Sequence, residues 1–138
     1  MSNNTDTLSS NILRSYSDLD MTFNVHPIKK DVNKLSGDRA IINSIKNLLL
    51  TNHYERPFQP YLGSNIKRLL FEPLDDITAR TLDTEIRTVL KNFEPRVDVI
   101  DVIVKADFDK NGFEVTLLFR PLNLVTPIQI TFFLERVR

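Results

Sequence analysis

The chain has no cysteine, which removes disulfide frameworks, thiolate nucleophiles and every cysteine-based metal site. Glycine occurs only at Gly37, Gly63 and Gly112, so the grouped glycines of a phosphate-cradling loop are missing. His26 and His53 are isolated, with no second histidine at helical spacing and no acid cluster beside them, and a metal site is not expected. Ser36, Ser44 and Ser64 lack any nucleophile-elbow context. No apolar run approaches the roughly 20 residues of a membrane span, and Met1 to Ser10 is polar, with no apolar core of signal-peptide length. An excess of one charge is also absent: 18 basic and 18 acidic side chains cancel. The long-range field that draws a general nucleic-acid or membrane binder to its target is therefore lacking. Neither of those partners is expected, and no cofactor is implied.

What remains is the composition of an ordinary folded domain. Of 138 residues, 41% are apolar and 26% charged, which suits one unit with a real core. Residues 1–12 carry almost no apolar surface and are expected to form a disordered tail. The domain is assigned to 13–138. Low net charge does little to keep copies apart, a property tolerable in a protein that lives inside an assembly.

Periodicity gives the elements. Leu19, Met21, Phe23 and Val25 alternate loosely between Tyr16 and Val32, consistent with a short strand and a loop. Asp38 is a plausible helix N-cap, followed at helical spacing by Ile41, Ile42, Ile45, Leu48 and Leu49, so a helix is predicted from Arg39 to about Asn52. His53 to Ser64 is a proline-punctuated, aromatic-rich connection, of a kind that packs on its own domain or on a partner. A short helix over Ile66–Phe71 leaves Leu69, Leu70 and Phe71 as an apolar plug. A second long helix, Thr78 to Phe93, carries the stripe Ala79, Leu82, Ile86, Val89, Leu90, Phe93; its other face, with Arg80, Asp83, Glu85, Arg87 and Lys91, reads as solvated.

At Glu94-Pro95-Arg96 the apolar period changes from helical to strand-like. Pro95 has no amide hydrogen and pushes Glu94 out of the α region, so the helix stops and an extended segment begins. The corner is expected to display one carboxylate and one guanidinium. Beyond it, Ile100, Val102, Val104, Ala106 and Phe108 share one parity. Asp109-Lys110-Asn111-Gly112 is a hairpin turn. Phe113, Val115, Leu117 and Phe119 define a second strand, and Ile128, Ile130, Phe132 and Leu134 a third that runs almost to the end of the chain. The fold class is thus α+β: a single domain with two long helices and a short one packed on a C-terminal three-stranded antiparallel meander. Ile103, Leu118 and Phe133 interrupt the polar parity, either under a covering segment or as a contact patch. The last strand can offer its edge to another chain.

Several separated motifs occur in one order: Ile41-x-x-Ser44-Ile45-Lys46-x-x-Leu49, Glu55-Arg56-Pro57-Phe58-x-Pro60-x-x-Gly63, Leu70-Phe71-Glu72-Pro73 and Asn92-Phe93-Glu94-Pro95-Arg96-Val97, with Tyr16-Ser17-Asp18-Leu19-Asp20 upstream. Over residues 38 to 136 the chain resembles the baseplate wedge, or sheath-initiator, family of contractile-tailed phages, which includes a component of type VI secretion baseplates. The resemblance implies a structural role in the virion tail baseplate, assembled in the host cytoplasm. It implies that Glu94, Pro95 and Arg96 dock on the helical core bundle of other wedge proteins, that Glu55, Arg56, Pro57, Phe58 and Gly63 form a family loop motif, and that the strand bearing Ile128, Ile130, Phe132 and Leu134 templates tail sheath subunits. Tube or hub proteins are further implied neighbours. Phage members often carry the label lysozyme. The alternative is accordingly a peptidoglycan-degrading tail enzyme using loop acids among Glu55, Glu72 and Glu94, although no constellation of residues here supports it.

Overall fold

A computed structural model describes residues 17–19, 34–122 and 124–136. The elements run β1 (Ser17–Leu19), β2 (Lys34–Ser36), α1 (Asp38–Leu50), α2 (Ile66–Leu69), α3 (Asp76–Phe93), β3 (Val97–Asp107), β4 (Gly112–Pro121) and β5 (Ile128–Glu135). The expected tail, the segment with Met21, Phe23 and Val25, and Asn123 lie outside the described residues. Of the loosely alternating stretch, Ser17–Leu19 is strand and pairs antiparallel with Lys34–Ser36.

α3 forms because its apolar residues recur every three or four positions, which makes one face of a 3.6-residue helix. Asp75 caps it, accepting a hydrogen bond from the Thr78 amide at 2.7 Å. The helix begins two residues before the predicted start. Ala79, Leu82, Ile86, Val89 and Leu90 are buried. α1 differs at both ends from the prediction. Gly37, at φ 64°, is the N-cap and Asp38 is the first helical residue, where its charge still favours the helix dipole. The helix stops at Leu50, with Thr51 extended as C-cap. α2 is a single turn, and Phe71 is 59% exposed, so the apolar plug reduces to buried Leu70 and partly buried Leu69.

β3, β4 and β5 form the expected meander in the order β3-β4-β5. Phe113, Val115, Leu117 and Phe119 are fully buried, and they join the stripes of α1 and α3, together with Val102 and Leu134, in one core cluster. Ile128, Ile130 and Phe132 pack against that cluster half-buried. The parity of β3 departs from strict alternation because the register slips between Val99 and Asp101. Val97 and Val99 turn inward before the slip, and Val102, Val104 and Ala106 after it, leaving Ile100 at 46% exposure. Phe108, beyond the strand end, is exposed as well. On the outer face Ile103 and Phe133 are partly open to solvent.

Two groups on α3 are not simply solvated. Arg87 bonds Asp83 at 2.9 Å, Asp101 at 2.8 Å and the Val102 carbonyl at 3.2 Å, while Glu85 accepts from the Asn65 amide at 2.9 Å. Hydrogen bonding to Arg87 holds the Asp101 carboxyl below the usual aspartate range.

Candidate interaction site at the helix-to-strand corner

α3 ends where Glu94, at φ −123° and ψ 74°, leaves the helical region while its amide still bonds the Leu90 carbonyl at 2.9 Å. The Val97 amide then returns to the Glu94 carbonyl at 3.2 Å. One turn thus carries the chain from helix into β3, with the proline ring of Pro95 exposed at its apex.

Glu94 is not displayed, as a charged residue beside a proline suggests, but only 3% exposed. Its carboxylate is hydrogen-bonded on both oxygens. Arg96 donates from Nε to Oε1 and from Nη2 to Oε2 at 2.8 Å, and the Ser44 hydroxyl donates to Oε2 at 2.6 Å. Arg96 Nη2 also reaches Ser44 Oγ at 3.0 Å, closing a triangle between α1 and the corner. Burial pushes the Glu94 carboxyl up, but the hydrogen bonds from Arg96 and Ser44 and the guanidinium charge outweigh it and hold the group below its ordinary value. Such a carboxylate is an anchor and a poor proton donor. In the sequence Ser44 is marked only as part of the Ile41-x-x-Ser44-Ile45-Lys46 motif, on α1 within one turn of Ile41, Ile45 and Leu48, where a polar group among apolar ones needs a partner.

What faces outward is Pro95, the 27% exposed Arg96 side chain, and an open groove of about 340 Å³ lined by Arg87, Lys91, Glu94, Pro95, Val97, Asp98 and Val99. The Leu122 amide bonds the Arg96 carbonyl at 2.9 Å, fixing the start of the β4–β5 connection beside the corner.

The loop motif lies on other elements. Glu55 accepts from the Asn52 amide at 2.8 Å and approaches Lys67 at 3.9 Å, and so shares no partner with Glu94. Arg56, Pro57 and Phe58 are exposed. Gly63, at φ 138°, passes so close to the Thr51–Asn52 backbone that a Cβ would sit 2.7 Å from it. Among the described residues no group of three His, Asp or Glu could hold a metal ion, and no helix is long and apolar enough to cross a membrane.

Residues 35–120 match the family model described as baseplate wedge protein gp25. The baseplate wedge protein gp25 of Enterobacteria phage T4 is 34% identical over 109 residues, spanning 79% of this chain and 82% of that protein. A solved structure from Geobacter sulfurreducens, described as a tail lysozyme, superposes with a TM-score of 0.69 at 21% identity, over 75% of this chain and 96% of its own. A chain of the anti-feeding prophage baseplate, solved by cryo-electron microscopy, does so with a TM-score of 0.71 at 20% identity, over 83% and 94%. The two structures share the fold. The family match spans well over half of the sequence and the phage T4 relative most of it, and the chain therefore belongs to the gp25 family of baseplate wedge proteins.

Proposed function

We propose that this protein is a structural adaptor of a contractile-tail baseplate, which docks on the helical bundle of other wedge proteins through the Glu94-Pro95-Arg96 corner and offers the free edge of β5 to a sheath subunit. Its place in the virion tail baseplate follows from its family. The observation that carries the docking reading is the closed triangle of Ser44, Glu94 and Arg96. It holds Pro95 and the guanidinium at one angle to α1 and α3, and a preset angle is what register-specific docking needs.

The strand edges supply the second half. At Val102 the amide is bonded to Asp101 Oδ1 at 2.9 Å and the carbonyl to Arg87, so at that residue the outer edge of β3 is occupied by side chains. β5 is the opposite edge, with β4 as its sole strand neighbour among the described residues. In an antiparallel ladder both main-chain groups of a residue point the same way, alternating along the strand. The Arg136 amide bonds Asn111, at the β4 end of the hairpin, so even-numbered residues of β5 face β4, and Gln129, Thr131, Phe133 and Glu135 present amide and carbonyl outward. A fourth strand could add there, largely independent of side chains.

Two variants separate the roles. Pro95→Asp places a charge at the exposed apex and is expected to stay folded but fail to enter wedges. Thr131→Pro removes one outward amide from an edge where proline is tolerated, and is expected to enter wedges but give baseplates without sheath. Normal contractile tails from both folded variants, seen by negative-stain microscopy, would overturn the proposal. For the alternative peptidoglycan-cleaving role, Glu94, the most buried candidate acid among the described residues, is a poor proton donor, because the bonds from Arg96 and Ser44 hold its carboxyl below its ordinary value.

A further inference from the structure

The connection between α1 and α2 is tied by backbone hydrogen bonds, yet it exposes aromatics. The Tyr54 amide bonds the Pro60 carbonyl at 2.8 Å, the Gln59 amide Arg56 at 3.2 Å, the Leu62 amide Gln59 at 3.1 Å and the Ser64 amide Thr51 at 2.8 Å. The buried Ser64 hydroxyl adds a bond to the Leu49 carbonyl at 2.7 Å. Tyr54 is held at φ 67°, a conformation that costs a non-glycine residue about 1–3 kcal/mol. Despite this ordering, Phe58 is 98% exposed and Tyr54 and Tyr61 each 77%. The loop therefore carries its aromatics outward on a hydrogen-bonded backbone, which lowers the main-chain ordering cost of recognition.

Charge is distributed unevenly around them. Tyr54 and Phe71 line one open groove of about 430 Å³ with His53, Lys67 and Arg68. The nearby carboxylates are engaged in holding the loop: Glu55 takes the Asn52 amide and pairs with Lys67, and Glu85 takes the Asn65 amide. Glu72 follows Phe71 but does not line the groove. Exposed Arg56 and Arg68 have no acidic partner among the described residues. Aromatics and arginine are the residues that dominate protein interfaces.

We infer that Tyr54, Phe58, Tyr61 and Phe71, flanked by Arg56, Lys67 and Arg68, form a second docking surface, separate from the corner, for an acidic segment of another tail protein that bears apolar side chains. The inference rests on the reading of this chain as an assembly component. Apolar side chains of the segment would meet the aromatic rings while its carboxylates meet the unpaired guanidinium groups, which gives both affinity and choice of partner. A nucleic acid fits less well, because the whole chain carries no net charge.

The test uses the full-length protein immobilised on a biosensor. Its probes are short overlapping peptides tiled across the other structural proteins of the same tail, with single-stranded oligothymidylate as competitor class. Binding is expected only from peptides that combine acidic and large apolar residues. Phe58→Ser and Arg68→Glu should each weaken it about tenfold or more, as loss of an anchor does, while leaving the melting temperature unchanged because both residues are exposed. Absence of binding by any peptide, preference for basic peptides or for the oligonucleotide, or indifference to Phe58→Ser overturns the inference. Pro95→Asp serves as the control. Retained peptide binding in that variant shows that failure of corner docking and failure of this surface are independent results.

Discussion

Glu94→Gln isolates the charge of the buried corner while keeping its shape. In the native protein the carboxylate accepts from Ser44 Oγ, Arg96 Nε and Arg96 Nη2. The amide retains one acceptor oxygen and turns an NH2 toward a donor, so at least one charge-assisted bond is lost and a donor faces a donor. Removing one partner of a fully buried ion pair costs about 3–5 kcal/mol. Arg96 keeps 27% of its side chain in solvent, which lets water recover part of that loss, and a cost of about 2 kcal/mol is expected at neutral pH. For a domain of this size the melting temperature then falls by about 6–10 °C. The sign of the pH dependence follows from the carboxyl being held below its ordinary value of 4.5. Its contribution is fully present above that value and is lost as pH falls through the lower folded-state value. Urea denaturation of both proteins should therefore show a constant gap from neutral pH to about 4.5, closing in more acidic solution. A gap below about 0.5 kcal/mol at neutral pH, within the range of ordinary surface changes, or one that persists unchanged into acid, would refute the assignment of Glu94 as a structural anchor.

Two further substitutions probe the frame around the two proposed docking surfaces. Gly63→Ala places a methyl group against the Thr51–Asn52 backbone at φ 138° and should cost about 2–3 kcal/mol by denaturant unfolding, from strain added to a clash. Arg87→Met removes the bonds to Asp83, Asp101 and Val102 while keeping most of the aliphatic stem. A loss of about 1 kcal/mol is expected, because the groups are half-exposed, together with faster amide exchange at Val102, whose capping carboxylate loses its partner.

Legibility followed the range of the forces involved. The stripe of α3 was readable because each apolar residue is placed by local helical spacing alone, and the hairpin at Asp109–Gly112 because turn chemistry is local. The N-cap of α1 was displaced by one residue because Gly37 adopts a positive φ that leaves Asp38 already helical. The slip in β3 was invisible, since Ile100, Val102 and Val104 continue the same parity whether or not the ladder shifts; what accompanies the shift is Arg87 from α3 bonding Asp101 and Val102 across the edge. Burial of Glu94 was equally hidden. Its serine partner lies 50 positions away in the chain, and only the fold brings a polar group on the apolar side of α1 to the corner.

The corner and the open edge are mechanically one object. β3 begins at the corner, with Val97 opposite Pro121, and Phe119 opposite Ile128 places the start of β5 at the same end of the sheet. The direction in which β5 leaves is therefore set by the angle at which β3 leaves α3, and that angle is fixed by Ser44, Glu94 and Arg96 and by Leu122 on the Arg96 carbonyl. A neighbour that docks on Pro95 and Arg96 would orient the free amides of Gln129, Thr131, Phe133 and Glu135 without touching them. Arg87 and Asp101 occupy the β3 edge at Val102, whereas no side chain is bonded to the outward main-chain groups of β5 among the described residues. If copies lie side by side in the proposed assembly, side chains bonded to the β3 edge at Val102 would work against edge-to-edge pairing of those copies.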